Sequence, residues 1–117
     1  MPDKDLKIRT KSFTIRIVKL CRALPKNYEG SIIGNQLFRC GTSVGANYRA
    51  ACRARSKLEF ISKIGIVIEE CDESIFWMEL LIDLALLPFN KMESLLQEAH
   101  EILAIMIASS NSAKKNL

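Results

Sequence analysis

Proline and glycine are scarce in this chain, three and five residues of 117, which argues against many short strands joined by tight turns. Histidine occurs once, as His100 in the string QEAHEI. A di-iron bundle needs paired Glu-x-x-His motifs, and neither Glu98 nor Glu101 stands in that relation to His100. No C-x-x-C occurs among Cys21, Cys40, Cys52 and Cys71, and no histidines accompany them at zinc spacing. Each falls in a helical pattern, where cysteine behaves as a small apolar residue. Charges interrupt every apolar run well before about 18 residues, so no membrane span is expected. The N-terminal MPDKDLKIRTK lacks the apolar core of a secretory signal. A reduced cytoplasmic protein is expected, with no metal and no cofactor. The cysteines lack a base partner, and the glycines of GTSVGA do not follow a strand as in a phosphate loop, so no enzyme is expected.

What the chain does have is 49% hydrophobic and 26% charged residues, the balance of one globular domain over 1–117. Its charge is uneven. Residues 1–57 hold 13 Lys/Arg against 3 Asp/Glu, whereas residues 58–117 hold 4 against 10. A half carrying +10 beside a half carrying −6 fits a polyanion-facing surface, or charge pairing between subunits.

Periodicity predicts four helices, at about 5–24, 31–54, 57–87 and 90–109, with a frayed tail over 110–117. In the first, Phe13, Ile17, Leu20 and Leu24 recur at spacings of 4, 3 and 4, and Leu24-Pro25 ends it. Ser31 is the expected N-cap of the second, whose inward stripe is Ile33, Leu37, Cys40, Val44, Tyr48 and Ala51. Gly41 and Gly45 each weaken that helix by roughly 1 kcal/mol, which points to a closely packed neighbour. Ser56 with Glu59 forms a capping box. The third helix then carries Ile61, Ile64, Ile68, Cys71, Ile75, Met78, Ile82 and Ala85 inward as far as Leu87-Pro88. Asn90 with Glu93 resembles a second capping box, before Leu95, Leu96, Ala99, Leu103 and Met106. Short connections between long helices imply an all-α, antiparallel up-down four-helix bundle.

Two surfaces stand out as candidate sites. Asn35, Arg39, Thr42, Ala46, Arg49 and Arg53 form a stripe nearly opposite the apolar face of the second helix, with Arg55 and Lys57 at its end. Arg39, Arg49, Arg53, Arg55 and Lys57 are therefore the candidate phosphate contacts to RNA or DNA. The alternative is an interaction scaffold in which these arginines pair with acids of a neighbouring subunit and no nucleic acid binds. On the third helix, Ile66, Phe76 and Leu80 share an outward face with Glu69, Glu73 and Asp83, a candidate oligomer interface. Asn47 is expected to fix helix register as a buried polar group.

The run from LPKNYEG through the third helix resembles the four helix bundle protein family, also called the 23S rRNA intervening-sequence protein family. Its most specific parts are SVGANY (Ser43 to Tyr48), the RARSK-x-EF segment (Arg53 to Phe60) and the pattern of Glu70, Glu73, Trp77, Glu79 and Leu80. The resemblance implies a four-helix bundle that assembles as a homo-oligomer, commonly a pentamer, with no established activity. The accessory protein of diversity-generating retroelements is similar: a basic pentameric barrel that binds nucleic acid and a reverse transcriptase. Where many relatives carry N-Y-R-E-A, this chain has Asn47-Tyr48-Arg49-Ala50-Ala51. Losing that glutamate either frees an arginine for an outside anion or weakens a subunit contact.

Overall fold

The computed structural model describes residues 4–117; residues 1–3 of the expected domain lie outside them. Four helices run α1 (Lys4–Ala23), α2 (Tyr28–Cys52), α3 (Lys57–Asp83) and α4 (Glu93–Lys115), with a 3-10 turn at Phe89–Lys91 before the last. Among the described residues there is no strand. The contact order α1–α2–α3–α4, closed by a weaker meeting of α1 with α4, makes an antiparallel bundle with α1 and α3 on one diagonal. The body measures 47 × 20 × 19 Å, matching the roughly 40 Å length of a 27-residue helix. Among the described residues, no helix is long and apolar enough to cross a membrane.

The expected stripe of α2 is buried at every position, from Ile33 to Ala51. It meets Phe13 and Ile17 of α1, both fully buried. Gly41 and Gly45 permit this contact: a Cβ on Gly41 would lie 2.6 Å from Ile17 Cγ2, and one on Gly45 2.5 Å from Thr14 Oγ1. On α3 the buried set is Ile64, Val67, Cys71, Ser74, Ile75, Met78 and Leu81. Ile61, Ile68 and Ile82 are only partly covered there. That helix is apolar on several sides, so periodicity alone misplaces its inner face by one position. Ser74 is tolerated in the seam because its hydroxyl donates to the Glu70 carbonyl at 2.8 Å and contacts Cys40 Sγ at 3.3 Å. Ile102 joins Leu95, Ala99 and Met106 in the core of α4.

Several expected boundaries are corrected. Helix α2 starts at Tyr28 and not near Ser31, because the Asn27 carboxamide accepts from the Gly30 amide at 2.8 Å and caps the helix one turn earlier. Ser56 caps α3 as expected, accepting from the Glu59 amide at 3.0 Å. Helix α3 stops at Asp83, short of Leu87. Ala85 adopts a left-handed φ of 58°, and Leu86 N–H donates to the Leu81 carbonyl at 2.9 Å, closing the helix end without glycine. No side chain caps α4; Asn90 falls in the 3-10 turn. The stretch 110–115, expected to fray, continues α4, with Ser110 buried and Lys114 and Lys115 complementing the helix dipole.

Candidate nucleic-acid interface

At 100° per residue, the arginine stripe of α2 drifts around the helix, so that Arg39 and Arg49 point about 80° apart. That drift gives them different neighbours. Arg39 leans toward α3, where it bonds Glu70 at 3.1 Å and also pairs with Glu73. The Trp77 indole donates to the same Glu73 carboxylate at 3.0 Å. The indole and the guanidinium together hold the Glu73 carboxyl below its ordinary range, and Glu73 in turn raises Arg39. Arg39 is thus neutralised within the chain, contrary to its expected role as an open phosphate contact.

Arg49 leans the other way, toward α1. It borders a groove of about 420 Å³ walled by Lys7, Ile8 and Lys11 from α1, Thr10 and Thr14 beneath them, and Thr42, Gly45 and Ala46 from α2. Among the described residues, no carboxylate lines this groove. Gly45 is what lets the helices meet low enough to leave it open. All three groove threonines bond within their own helices: Thr10 donates to the Lys7 carbonyl at 3.2 Å, Thr14 to that of Thr10 at 3.0 Å and Thr42 to that of Phe38 at 2.7 Å. The three cations supply the charge. Arg53 follows Arg49 one turn later and is exposed, as are Arg55 and Lys57 in and after the connection. Among the described residues, none of Lys7, Lys11, Arg49, Arg53 and Arg55 forms an ion pair. Lys57 donates its ammonium to the Asn116 carbonyl at 2.9 Å, at the negative end of α4.

Lys7 and Lys11 were not among the expected contacts. The signal was present in the +10 balance of residues 1–57, but a helical wheel of α2 alone does not show what α1 brings alongside. Arg9 and Arg16, on the same helix, turn instead to α4. Arg9 grips Glu98 through two 2.7 Å bonds and Glu101 at 2.6 Å, and Arg16 donates to Ser94 at 2.9 Å. Of the basic half, then, Arg9 and Arg39 are spent on internal carboxylates.

Other candidates are chemically quiet. Burial raises the thiols of Cys21 to about 11 and Cys71 to about 12, so neither is a thiolate nucleophile near neutrality. Among the described residues, no group of three or more His, Cys, Asp or Glu side chains is placed to hold a metal, and His100 is exposed. Asn47 does not set register between helices: its amide donates to the Ser43 carbonyl at 3.0 Å and hydroxyl at 2.6 Å, within its own helix.

The sequence profile of the 23S rRNA-intervening sequence protein family matches residues 4–108. The fold is similar to the crystal structure of a protein of unknown function, from the S23 ribosomal protein family, of Bacteroides thetaiotaomicron VPI-5482. The two share 32% identity with a TM-score of 0.83, over 90% of this chain and 97% of that one. No curated protein matches.

Proposed function

This chain belongs to the 23S rRNA-intervening sequence protein family, and on that footing we propose that it is a non-enzymatic nucleic-acid-binding protein. The phosphate backbone follows the α1/α2 groove. One observation carries this: Lys7, Lys11 and Arg49 surround a groove with no carboxylate among its described residues, and Arg53 continues the line about 6 Å along α2. Arg55 and Lys57 extend the same cationic edge. Unpaired cations on one side release counterions from a polyanion, whereas cations already neutralised within the fold add little. Arg39 therefore leaves the set, and Lys7 and Lys11 enter it. RNA and DNA share the phosphate chemistry, and titrating both as labelled strands separates them. Replacing Lys11, Arg49 and Arg53 by Glu removes binding while circular dichroism stays helical; unaltered affinity in a folded variant refutes the site.

A second reading, self-association, rests on α3 and on the outer face of α1, whose Ile8 and Lys11 also line the α1/α2 groove. Phe76 is 55% exposed and meets Trp77 edge-on at 5.0 Å, and Ile66 is half-buried about 15 Å nearer the start of the same helix. Leu80 lies at the margin of the core as well as on this face. A Cβ on Gly65 would meet nothing within 4 Å, so no contact inside the chain accounts for that glycine. Glu69, Asp72, Glu79 and Asp83 are exposed around these residues and unpaired among the described residues. On the far diagonal, α1 exposes Ile8 and Ile15 between Lys11, Lys19 and Arg22. Two apolar faces of opposite charge on opposite sides of the bundle favour a head-to-tail contact that repeats into a ring, of five by resemblance to the family. Light scattering tests it. Ile8→Glu and Phe76→Lys variants are each monomeric alone, and mixing them yields a dimer only. An isologous α3 contact would leave the Ile8 variant dimeric, and a monomeric parent protein ends the proposal.

A further inference from the structure

The end of the bundle beyond Arg53 holds a second depression, which phosphate binding along α1 and α2 does not use. Its walls are the last turn of α2, the connection through Ala54 and Ser56, the first turn of α3 and the final turns of α4. It measures about 820 Å³, within the range of small-molecule sites. Its chemistry differs from that of the first groove. Cys52, Phe60, Ile105 and Ala108 supply apolar surface, and Ser112 and Asn116 supply hydrogen-bonding groups. Among the described residues, no carboxylate lines it.

Lys57 lines the groove and donates across it to the Asn116 carbonyl at 2.9 Å, and the exposed Arg53 and Arg55 flank Ala54, which forms part of the wall. The α4 wall ends in the carbonyls of a helix C-terminus, which disfavour a phosphate inside. A neutral, planar, partly polar group suits the interior, and an anionic tether suits the rim. Single-strand binders combine these two features, with the backbone tracked by cations and the bases received on aromatic and apolar surface. A duplex cannot use such a groove, because its bases are stacked within the helix.

We infer that this groove receives unstacked bases of a single-stranded nucleic acid whose phosphates cross Arg53, Arg55 and Lys57; the inference rests on the nucleic-acid reading above. Phe60 is the aromatic wall and the Ser112 hydroxyl serves the base edges, the Asn116 amide being held by the Ser112 carbonyl at 3.1 Å. The strand thus enters from the Arg49 end of the α1/α2 groove and turns over the end of the bundle.

The test compares three fluorescein-labelled probes of equal length and matched salt on the full chain: a single strand, its abasic counterpart and the corresponding duplex. The expected result is that the ordinary single strand binds on the order of tenfold more tightly than the abasic strand, the worth of stacking about one base. The exposed-wall substitution Ala108→Phe, which fills the groove, removes that difference and leaves duplex affinity and its salt slope unchanged. Equal affinity for ordinary and abasic strands overturns the base groove while leaving phosphate binding intact. Absence of binding by any probe at low salt overturns the parent reading as well. The abasic comparison uses the unmodified protein, so it decides the question even if the filled variant misfolds.

Discussion

The middle and the C-terminal end of helix α2 present the same side chain to opposite surroundings. Near its middle, Arg39 is held by Glu70 and Glu73, with Trp77 steadying the second carboxylate. Ten residues later Arg49 faces Lys7 and Lys11 across a groove with no carboxylate among its described residues. Helical drift decides which neighbour each meets: α3 brings acids and α1 brings lysines. Arginine count is therefore a poor measure of a polyanion surface. What counts is the charge left over after the fold has paired its own, and in this chain the surplus collects along α1 and the C-terminal part of α2. A cation kept beside other cations weakens the folded chain by repulsion, so an outside anion has something to relieve.

Breaking that comparison gives the largest expected effect. Reversing Lys11, Arg49 and Arg53 to Glu lowers nucleic-acid affinity by roughly two orders of magnitude or more at moderate salt, whereas Arg39→Gln leaves it unchanged; fluorescence anisotropy reads both. Next come two glycine substitutions of opposite sign. Gly41→Ala drives a methyl into Ile17 and destabilises by about 1–3 kcal/mol through overpacking. Gly65→Ala, in open space, stabilises the isolated subunit by up to about 1 kcal/mol through helix propensity. Urea denaturation measures each, and an oligomer lost on Gly65→Ala points to a second copy lying against α3. Ala85→Gly relieves the left-handed residue at the end of α3 and adds about 0.5–1 kcal/mol in the same assay.

The smallest effect is on pH. Because Glu73 titrates below its ordinary value of 4.5 in the folded chain, its contribution to stability is complete above that value. It is lost as pH falls through the lowered one. Glu101, lowered by the Gln97 amide and Arg9, acts in the same direction. Arg39→Gln removes one of the two groups holding Glu73 down. The variant is thus less stable near neutrality and loses less on acidification below about pH 5, which thermal melts across a pH series resolve.

The bundle was legible because its determinants are local: 3-4 spacing on α1 and α2, the Ser56–Glu59 cap and Pro25. The misplaced ends have equally physical causes. Asn27 wins the cap from Ser31 one turn earlier, and Ala85 takes a left-handed turn that sequence reserves for glycine. On α3, isoleucines at 61, 64, 66, 68, 75 and 82 leave the inner face ambiguous, and packing against α2 and α4 selects Val67, Ser74 and Leu81. Of the candidate site, Arg49, Arg53, Arg55 and Lys57 could be placed on the end of one helix, its following connection and the start of the next from spacing alone. The withdrawal of Arg39 and the arrival of Lys7 and Lys11 could not, since both depend on which helices become neighbours.

The most direct test of the α1/α2 groove is the dependence of nucleic-acid affinity on salt, measured for the unmodified protein, for Lys11→Gln/Arg49→Gln and for Arg39→Gln. The account predicts a linear fall of log affinity with log salt, with the slope reduced by about 1.4–1.8 in the double variant and unaltered in Arg39→Gln. Equal slopes for all three proteins, or a loss of slope confined to Arg39→Gln, would contradict it.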